Sequence, residues 1–144
     1  MVEKATVKSD RWGDASMRGG FTMLPNYLVS LNQFVTNDRR VTPTEFFVLA
    51  SVLMSWWSGT KAPFPSKATL SKRTGLSTRQ VQRALSGLEK KRYMRRVERY
   101  ASGRGRTSNS YDLAGLVAEL EEAASKNPNL FARSQNSGAP QENS

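Results

Sequence analysis

The sequence contains no cysteine and no histidine. Without cysteine the chain can form neither a disulfide nor a thiolate site. Without histidine it lacks the usual general base and the commonest metal ligand. Catalytic triads, two-histidine metal sites and zinc fingers are therefore excluded by composition, and we expect no cofactor and no bound metal.

Long apolar runs are also missing. The longest, "FFVLASVLM" followed closely by "WW", is too short to cross a bilayer, and the first residues lack the apolar core of a signal peptide. We therefore expect a cytoplasmic protein without a membrane partner.

Acidic residues are scarce in one part of the chain. Residues 61–106 hold fourteen Lys and Arg against two acids, Glu89 and Glu98, so this part has a net charge of +12, whereas the whole chain has +10. Such a concentration of positive charge predicts a polyanionic partner, with nucleic acid favoured over an anionic membrane surface.

The hydrophobic pattern divides the chain into three parts. Residues 1–20 show no periodicity and predict a flexible arm. Residues 21–125 predict one compact domain, and 126–144, rich in Asn, Ser, Gln, Pro and Gly, predict a disordered tail. At the start of the domain, "FTMLPNYLV" predicts a short strand followed by a helix that begins near Pro25.

Helix-start signals mark the central core helix. In "TPTEFFVLASVLMSWW", Thr42 is a typical N-cap, Pro43 suits the first helical position, and Glu45 completes a capping box. We predict a helix over Thr42–Trp57. Its inward side is predicted to carry Phe46, Leu49, Ala50, Leu53, Met54 and Trp57.

Two shorter capped segments follow. Ser66 caps "KATLSKRTG", in which Ala68 and Leu70 are predicted to face inward and Gly75 to end the helix. Ser77 then opens a long amphipathic helix through a second capping box with the residue three positions later. The inward side of this helix is predicted to consist of Val81, Ala84, Leu85 and Leu88.

A β-hairpin near residues 94–112 is predicted next, because strand-forming residues flank the glycines of "SGRG". Asp112 can then cap a last helix over Leu113–Ala124, with Leu113, Leu116, Val117 and Leu120 as its apolar stripe. The fold class is therefore mainly α with a small β-hairpin: a winged helix-turn-helix domain with disordered termini.

The stretch from "PFPSKATLSKRTGLSTRQVQRALSGLEKKRYMRRVER" to "GRGRTSNSYDL" resembles a winged helix-turn-helix family found in bacterial, phage and plasmid replication proteins. It is also similar to the MarR-like winged-helix regulators. The resemblance covers roughly 43–113 and implies DNA binding. Similar proteins have glycine where the second helix turns into the wing, whereas this chain has Arg92, which would cost about 1 kcal/mol if that position is left-handed.

The exposed side of the Ser77–Lys91 helix is predicted to contact DNA. Arg79, Arg83, Ser86 and Lys90 recur at helical spacing without an intervening acid, unlike an ordinary solvated face, which mixes charge signs. Arginine near the start of such a helix can pair with guanine in the major groove, and Gln80 or Gln82 can pair with adenine.

Other polar residues are predicted to contact the phosphate backbone or the minor groove. On the first helix of the pair these are Lys67, Thr69, Lys72 and Arg73, and at the start of the second they are Ser77 and Thr78. The hairpin contributes Arg95, Arg96, Arg99, Arg104 and Arg106.

The sequence favours a non-enzymatic function, since Tyr100 or Tyr111 could attack a phosphodiester only with histidines or clustered acids that are lacking. We expect a transcriptional regulator or replication-initiation protein of a bacterium, phage or plasmid that binds double-stranded DNA. Two alternatives stay open: an adaptor that binds a protein partner, and a single-strand binder that stacks bases on Trp56 and Trp57. A homodimer through either the Thr42–Trp57 helix or the Leu113–Ala124 helix is also left open.

Overall fold

The computed structural model describes residues 11–132 apart from 102 and 104. Six α-helices and one antiparallel hairpin follow one another in this part of the chain, and the mainly α fold class with a small hairpin is as the sequence predicts. None of these helices combines the length and apolar content that a membrane crossing needs. The elements are α1 (Asp14–Arg18), α2 (Asn26–Val29), α3 (Pro43–Leu53), α4 (Lys67–Thr74), α5 (Thr78–Lys90), β1 (Arg95–Ala101), β2 (Gly105–Asp112) and α6 (Ala114–Lys126).

Three of the four predicted N-caps are present. The Thr42 hydroxyl accepts a hydrogen bond from the Glu45 N–H at 3.0 Å, and the Glu45 carboxylate accepts one from the Thr42 N–H at 2.9 Å. Ser77 and Gln80 form the same reciprocal pair at the start of α5. The Ser66 hydroxyl accepts from the backbone N–H of the third residue of α4. Local side-chain chemistry thus sets where α3, α4 and α5 begin.

A tight turn joins α4 to α5. Gly75 ends α4 in the left-handed conformation with φ of 76°, as the sequence predicts for a C-cap glycine. The Ser71 hydroxyl donates to the Leu76 carbonyl at 2.5 Å, which holds the turn against the helix that precedes it.

The core lies between α3, α4 and α5 and extends to α6. The predicted inward side of α5 is confirmed, since all four of its residues are buried. On α4 only Leu70 is buried, and the prediction for Ala68 was wrong: it is exposed, because residues two apart lie on opposite sides of a helix. The largest fully buried side chains are Tyr93, Tyr111, Leu28, Leu31, Leu49, Leu70, Leu85, Leu88, Leu116, Val48, Val52 and Val81.

Helix α3 is shorter than predicted and buries a different face. It ends at Leu53, and Met54 and Trp57 are 49% and 81% exposed, so their predicted core positions were wrong. Val48 and Val52, which the sequence analysis left outside the inward set, are fully buried. A helix that packs on several sides at once has no single apolar stripe from which its inward face can be read.

The chain leaves α5 through a strained turn. Arg92 is the one residue other than glycine with a positive φ among those described, at 69°, so the left-handed position in which arginine carries a steric cost is present. The start of α6 packs directly on this turn: the Leu116 N–H donates to the Tyr93 carbonyl at 3.0 Å. A Cβ at Gly115 would lie 2.1 Å from the Arg92 carbonyl oxygen, so only glycine permits this approach.

The hairpin pairs β1 with β2, with Arg95 opposite Asp112 and an irregularity in register between Val97 and Arg99. The loop before α4 lies along β2, since the Tyr111 N–H donates to the Pro63 carbonyl at 2.9 Å. At the end of β2 the Asp112 carboxylate accepts a hydrogen bond from the backbone N–H of Ala114, the first residue of α6. The N-cap position of α6, however, is held by Leu113 and not by Asp112.

Both predicted terminal boundaries need correction within the described residues. Residues 14–18 form α1, where the sequence predicted no periodic element, whereas residues 21–24 form no strand because no neighbouring strand is there to pair with them. At the other end, Phe131 packs edge-on against Tyr27 at 4.9 Å between ring centroids, so the packed chain extends beyond the predicted limit of 125. The predicted arm over 1–10 and tail over 133–144 lie outside the described residues.

Candidate nucleic-acid interface

The exposed side of α5 carries a row of cations. Arg79, Arg83 and Lys90 are all exposed, and Ser86 lies between them on the same side. Among the described residues, none of these three cations forms an ion pair or hydrogen bond with another side chain. The charge of the α5 row is therefore available to a partner rather than neutralised by the protein.

Two glutamines of α5 are less available than predicted. The Gln80 Oε1 already accepts the Ser77 N–H, whereas a bidentate pair with adenine needs both the oxygen and the nitrogen of the amide. Gln82 is half-buried, and its Nε2 donates to Ser86 at 3.4 Å. In this arrangement Gln80 acts as a cap, and Ser77 has the same structural role. Thr78 is exposed beside them.

On α4 the four predicted phosphate contacts separate into two groups. Lys67 and Lys72 are exposed and have no ion pair in the part of the chain that the structure describes. The Thr69 hydroxyl accepts a hydrogen bond from the Ser66 cap at 3.0 Å. The Arg73 Nη1 donates to the backbone carbonyl of Ser51 and to a nearby hydroxyl, at 2.8 and 2.9 Å. Arg73 thus donates hydrogen bonds to the last turn of α3, where backbone carbonyls lack partners within the helix. The guanidinium that was predicted to contact a phosphate therefore already has partners in the protein.

The hairpin arginines are mostly committed to contacts within the protein. Arg95 forms an exposed ion pair with Asp112 at 3.0 Å. The Arg99 guanidinium lies over the Phe64 ring at 3.9 Å from its centroid and donates to Ser108. Both residues were predicted to contact DNA, and that contact stays a prediction beside these partners within the protein.

Arg96 joins the hairpin to α5. Its guanidinium donates to the Glu89 carboxylate at 2.7 and 3.1 Å, its backbone N–H donates to the same carboxylate, and its Nη2 donates to Ser86 at 3.2 Å. Burial raises the pKa of the Glu89 carboxyl, but the hydrogen bonds and charge of Arg96 outweigh burial and leave this pKa below its usual value. Arg96 therefore holds the hairpin in place rather than offering a free cation.

Two predicted arginines lie at the limit of the described structure. Arg104 is outside the described residues. Arg106 is described through its backbone, which pairs with Tyr100 across the hairpin. Their contact with DNA stays a prediction.

The sequence analysis missed the residues that fix the far end of α5. Arg39, in the segment before α3, donates to the Lys91 carbonyl at 2.8 and 3.0 Å and forms an ion pair with Glu119 of α6. Its guanidinium also lies over the Tyr93 ring, whose hydroxyl donates back to the Arg39 carbonyl. No local pattern signals this role, because every partner is more than 50 residues away.

Glu45 links the start of α3 to the residue that follows α5. Besides its part in the capping box of α3, its carboxylate accepts from the Lys91 ammonium at 2.6 Å. A Cβ at Gly87 would lie 2.0 Å from the Glu45 Oε2, so α5 approaches α3 through a position that needs glycine. The orientation of the α5 row relative to the core depends on this contact.

A capped helix, a turn through a left-handed glycine and a second helix with an exposed cationic side are the arrangement of a helix-turn-helix. A family described as a helix-turn-helix domain matches residues 40–94, the segment that contains α3, α4 and α5. Residues 40–94 form a helix-turn-helix domain. The hairpin follows this helix-turn-helix domain directly, in the position of a wing. No curated protein matches the chain.

A helix-turn-helix domain is a DNA-binding domain, and its second helix is the one that enters the major groove. In this chain that helix is α5, and its first turns carry Thr78, Arg79 and Arg83 exposed. Exposed cations and residues that form contacts within the protein thus alternate along α4, α5 and β1.

Proposed function

We propose that the protein binds double-stranded DNA sequence-specifically, with α5 in the major groove and the hairpin against the neighbouring backbone or minor groove. The observation that carries this proposal is the α5 row: Arg79, Arg83 and Lys90 are exposed on one side of the second helix and have no ion-pair partner among the described residues. Phosphate contacts come from Lys67 and Lys72 on the helix before it.

The proposed setting is a transcriptional regulator or a replication-initiation protein of a bacterium, phage or plasmid. The proposal includes no catalytic step and no cofactor. It includes a homodimer, because Met54 and Trp57 after α3 and Val117 of α6 line one apolar groove, which unites the two interfaces that the sequence left as alternatives.

The test selects bound sequences from a random duplex pool and measures affinity for the winning duplex. The double variant Arg79→Ala, Arg83→Ala should lose preference for the selected site. The matched control Arg40→Ala, Lys126→Ala removes the same charge from exposed positions on other elements and should keep that preference. If both double variants lost the preference for the selected site equally, binding would depend on overall charge alone, which would contradict the proposal.

Salt dependence adds a quantitative measurement. The helix pair offers five free cations among the described residues: Lys67, Lys72, Arg79, Arg83 and Lys90. If each neutralises one phosphate, the logarithm of the binding constant should fall with the logarithm of salt with a slope of about −4.5, and hairpin contacts would steepen it. The sequence predicts six to ten contacts in total, equivalent to a roughly 10³–10⁵-fold loss between 50 and 200 mM salt.

A second candidate function is a protein-interaction adaptor, which the exposed apolar groove favours. In that case the Arg79→Ala, Arg83→Ala variant would keep its partner binding while variants in the groove would lose it. Single-strand binding is distinguished by titrating single-stranded and duplex forms of the same oligonucleotide, since a stacking mechanism through Trp57 would favour the single strand.

A further inference from the structure

An open apolar groove lies between the segment before α2, the end of α3 and the outer side of α6. Its volume is about 630 Å³, and its floor includes the buried side chains Leu28, Leu53 and Leu116. Large apolar side chains stay exposed around it: Met23, Met54, Trp57 and Val117. A contiguous apolar surface of this kind on a small domain is typical of a binding site.

Helix α1 is a segment without a visible source of stability. It has five residues, and none of them is buried. Isolated helices shorter than roughly 12–15 residues are marginal in water, so a five-residue helix needs a packing surface. Trp12, which precedes it, is 70% exposed, and its backbone carbonyl accepts a hydrogen bond from the Ser16 hydroxyl of the same segment. This part of the chain thus presents a large aromatic side chain with nothing to cover it among the described residues.

Charge complements the apolar match. Arg11 and Arg18 stand at the two ends of this segment, and neither has an ion pair among the described residues. The groove is edged by Glu121 of α6, an exposed carboxylate that also lacks an ion pair within residues 11–132. A segment with arginines around a tryptophan fits an apolar groove with an acidic edge.

The connection between segment and groove suits an exchange between two copies. Gly19 and Gly20 join α1 to the wall of the groove, and Gly20 has a φ of 90°. Glycine adopts positive and negative φ at little steric cost, so a change at these two residues can redirect the segment. We propose that residues 11–18 of one copy fill the apolar groove of a second copy, and that the second copy returns the same contact. A reciprocal exchange about a two-fold axis covers both tryptophans and both grooves at once and forms a closed dimer.

This inference rests on the homodimer included in the proposed function and specifies which segment forms the interface. It does not involve the α5 row, which contributes nothing to the groove lining. A dimer of this kind leaves the DNA-facing helices of both copies exposed, as binding to two half-sites requires.

The experiment measures the mass of the full chain by sedimentation equilibrium without DNA. Trp12→Ala alters the segment, and Trp57→Glu alters the groove at a position exposed enough to leave the fold intact. Each variant should weaken dimerisation about tenfold or more, as loss of a buried tryptophan anchor does. The control Phe47→Ala removes another exposed aromatic side chain, outside the groove, and should dimerise like the wild type.

Mixing the two weakened variants gives the decisive readout. A Trp12→Ala copy keeps an intact groove and a Trp57→Glu copy keeps an intact segment, so the equimolar mixture should form dimers more tightly than either variant alone. A wild-type dimer insensitive to both substitutions, or a mixture no tighter than its components, would overturn the exchange while leaving the homodimer standing. A monomeric wild type would overturn both, and duplex binding by that monomer would leave DNA recognition unaffected.

Uptake of an apolar dye that is equal in wild type and Trp12→Ala would indicate an empty groove and would also overturn the inference.

Discussion

Arg96 and Glu89 form a clasp between the hairpin and the second helix of the helix-turn-helix domain. The guanidinium reaches the carboxylate at 2.7 Å, and the Arg96 side chain is only 18% exposed. Arg96 therefore uses its charge to hold the hairpin against α5. Arg83, on the α5 row, has no such partner among the described residues. Two arginines that look equivalent in the sequence thus have different functions.

Substitution separates these functions. Arg96→Ala leaves the half-buried Glu89 carboxylate without its partner and should lower the free energy of unfolding by about 1 kcal/mol. Arg83→Ala should leave stability unchanged and should reduce the salt slope of duplex binding by about 1. Thermal unfolding and salt titrations of both variants check this. If Arg83→Ala were the destabilising change, the assignment of the free row would be wrong.

The clasp also predicts how stability depends on pH. The pKa of Glu89 lies below its usual value of 4.5, so the folded protein binds this proton less readily than the unfolded chain. The stabilisation is therefore complete above that usual value and is lost as the pH falls from about 4.5 through the lower pKa of the folded state. Glu89→Gln should unfold with a smaller difference between pH 7 and pH 3.5 than the wild type. The control Glu122→Gln changes an exposed pair with Lys126 and should keep the wild-type difference.

Gly87 should tolerate no side chain, despite its position inside a helix. Gly→Ala in a helix normally stabilises by about 0.5–1 kcal/mol. Here the new Cβ would lie 2.0 Å from the Glu45 Oε2. The other oxygen of this carboxylate, Oε1, accepts from the Thr42 N–H and the Lys91 ammonium and so restrains the group, and we expect Gly87→Ala to destabilise by about 1–3 kcal/mol. Chemical denaturation measures the difference. Gly59→Ala, where no atom lies within 4 Å of the added Cβ, is the matched control and should be nearly neutral.

Arg92→Gly should stabilise the domain by about 0.5–1 kcal/mol, because glycine adopts the φ of 69° without the steric cost that arginine incurs. Arg92→Ala removes the same charged side chain without relieving the backbone and should give no gain. Denaturation midpoints of the two variants decide between backbone strain and side-chain charge as the cause. A gain in both would point to charge repulsion.

Several elements could be predicted from the sequence because their causes are local. The caps of α3, α4 and α5, the left-handed Gly75 and the amphipathic pattern of α5 all involve residues within about four positions of one another. The comparison with the pattern of similar proteins identified position 92 as one where arginine replaces glycine, and its φ of 69° came from the structure. The cationic side of α5 could be predicted for the same reason as its buried side, since both follow one helical period.

The length and facing of α3 could not be predicted in this way. Its sequence is apolar on most sides, so periodicity does not distinguish Val48 and Val52, which are buried, from Met54 and Trp57, which are exposed. Packing against several elements at once selects the buried face, and those elements are distant in sequence.

The distinction between free and committed arginines has the same origin. Composition and spacing show that residues 61–106 are strongly basic and that α5 is an amphipathic helix, because charge and helical period are properties of neighbouring residues. Whether a given guanidinium already has a partner depends on what the fold brings to it. The carbonyl of Ser51 contacts Arg73, the ring of Phe64 contacts Arg99, and the carbonyl of Lys91 contacts Arg39. These partners lie 22 to 52 residues away along the chain, and a contact over that separation forms only when the helices and the hairpin have packed.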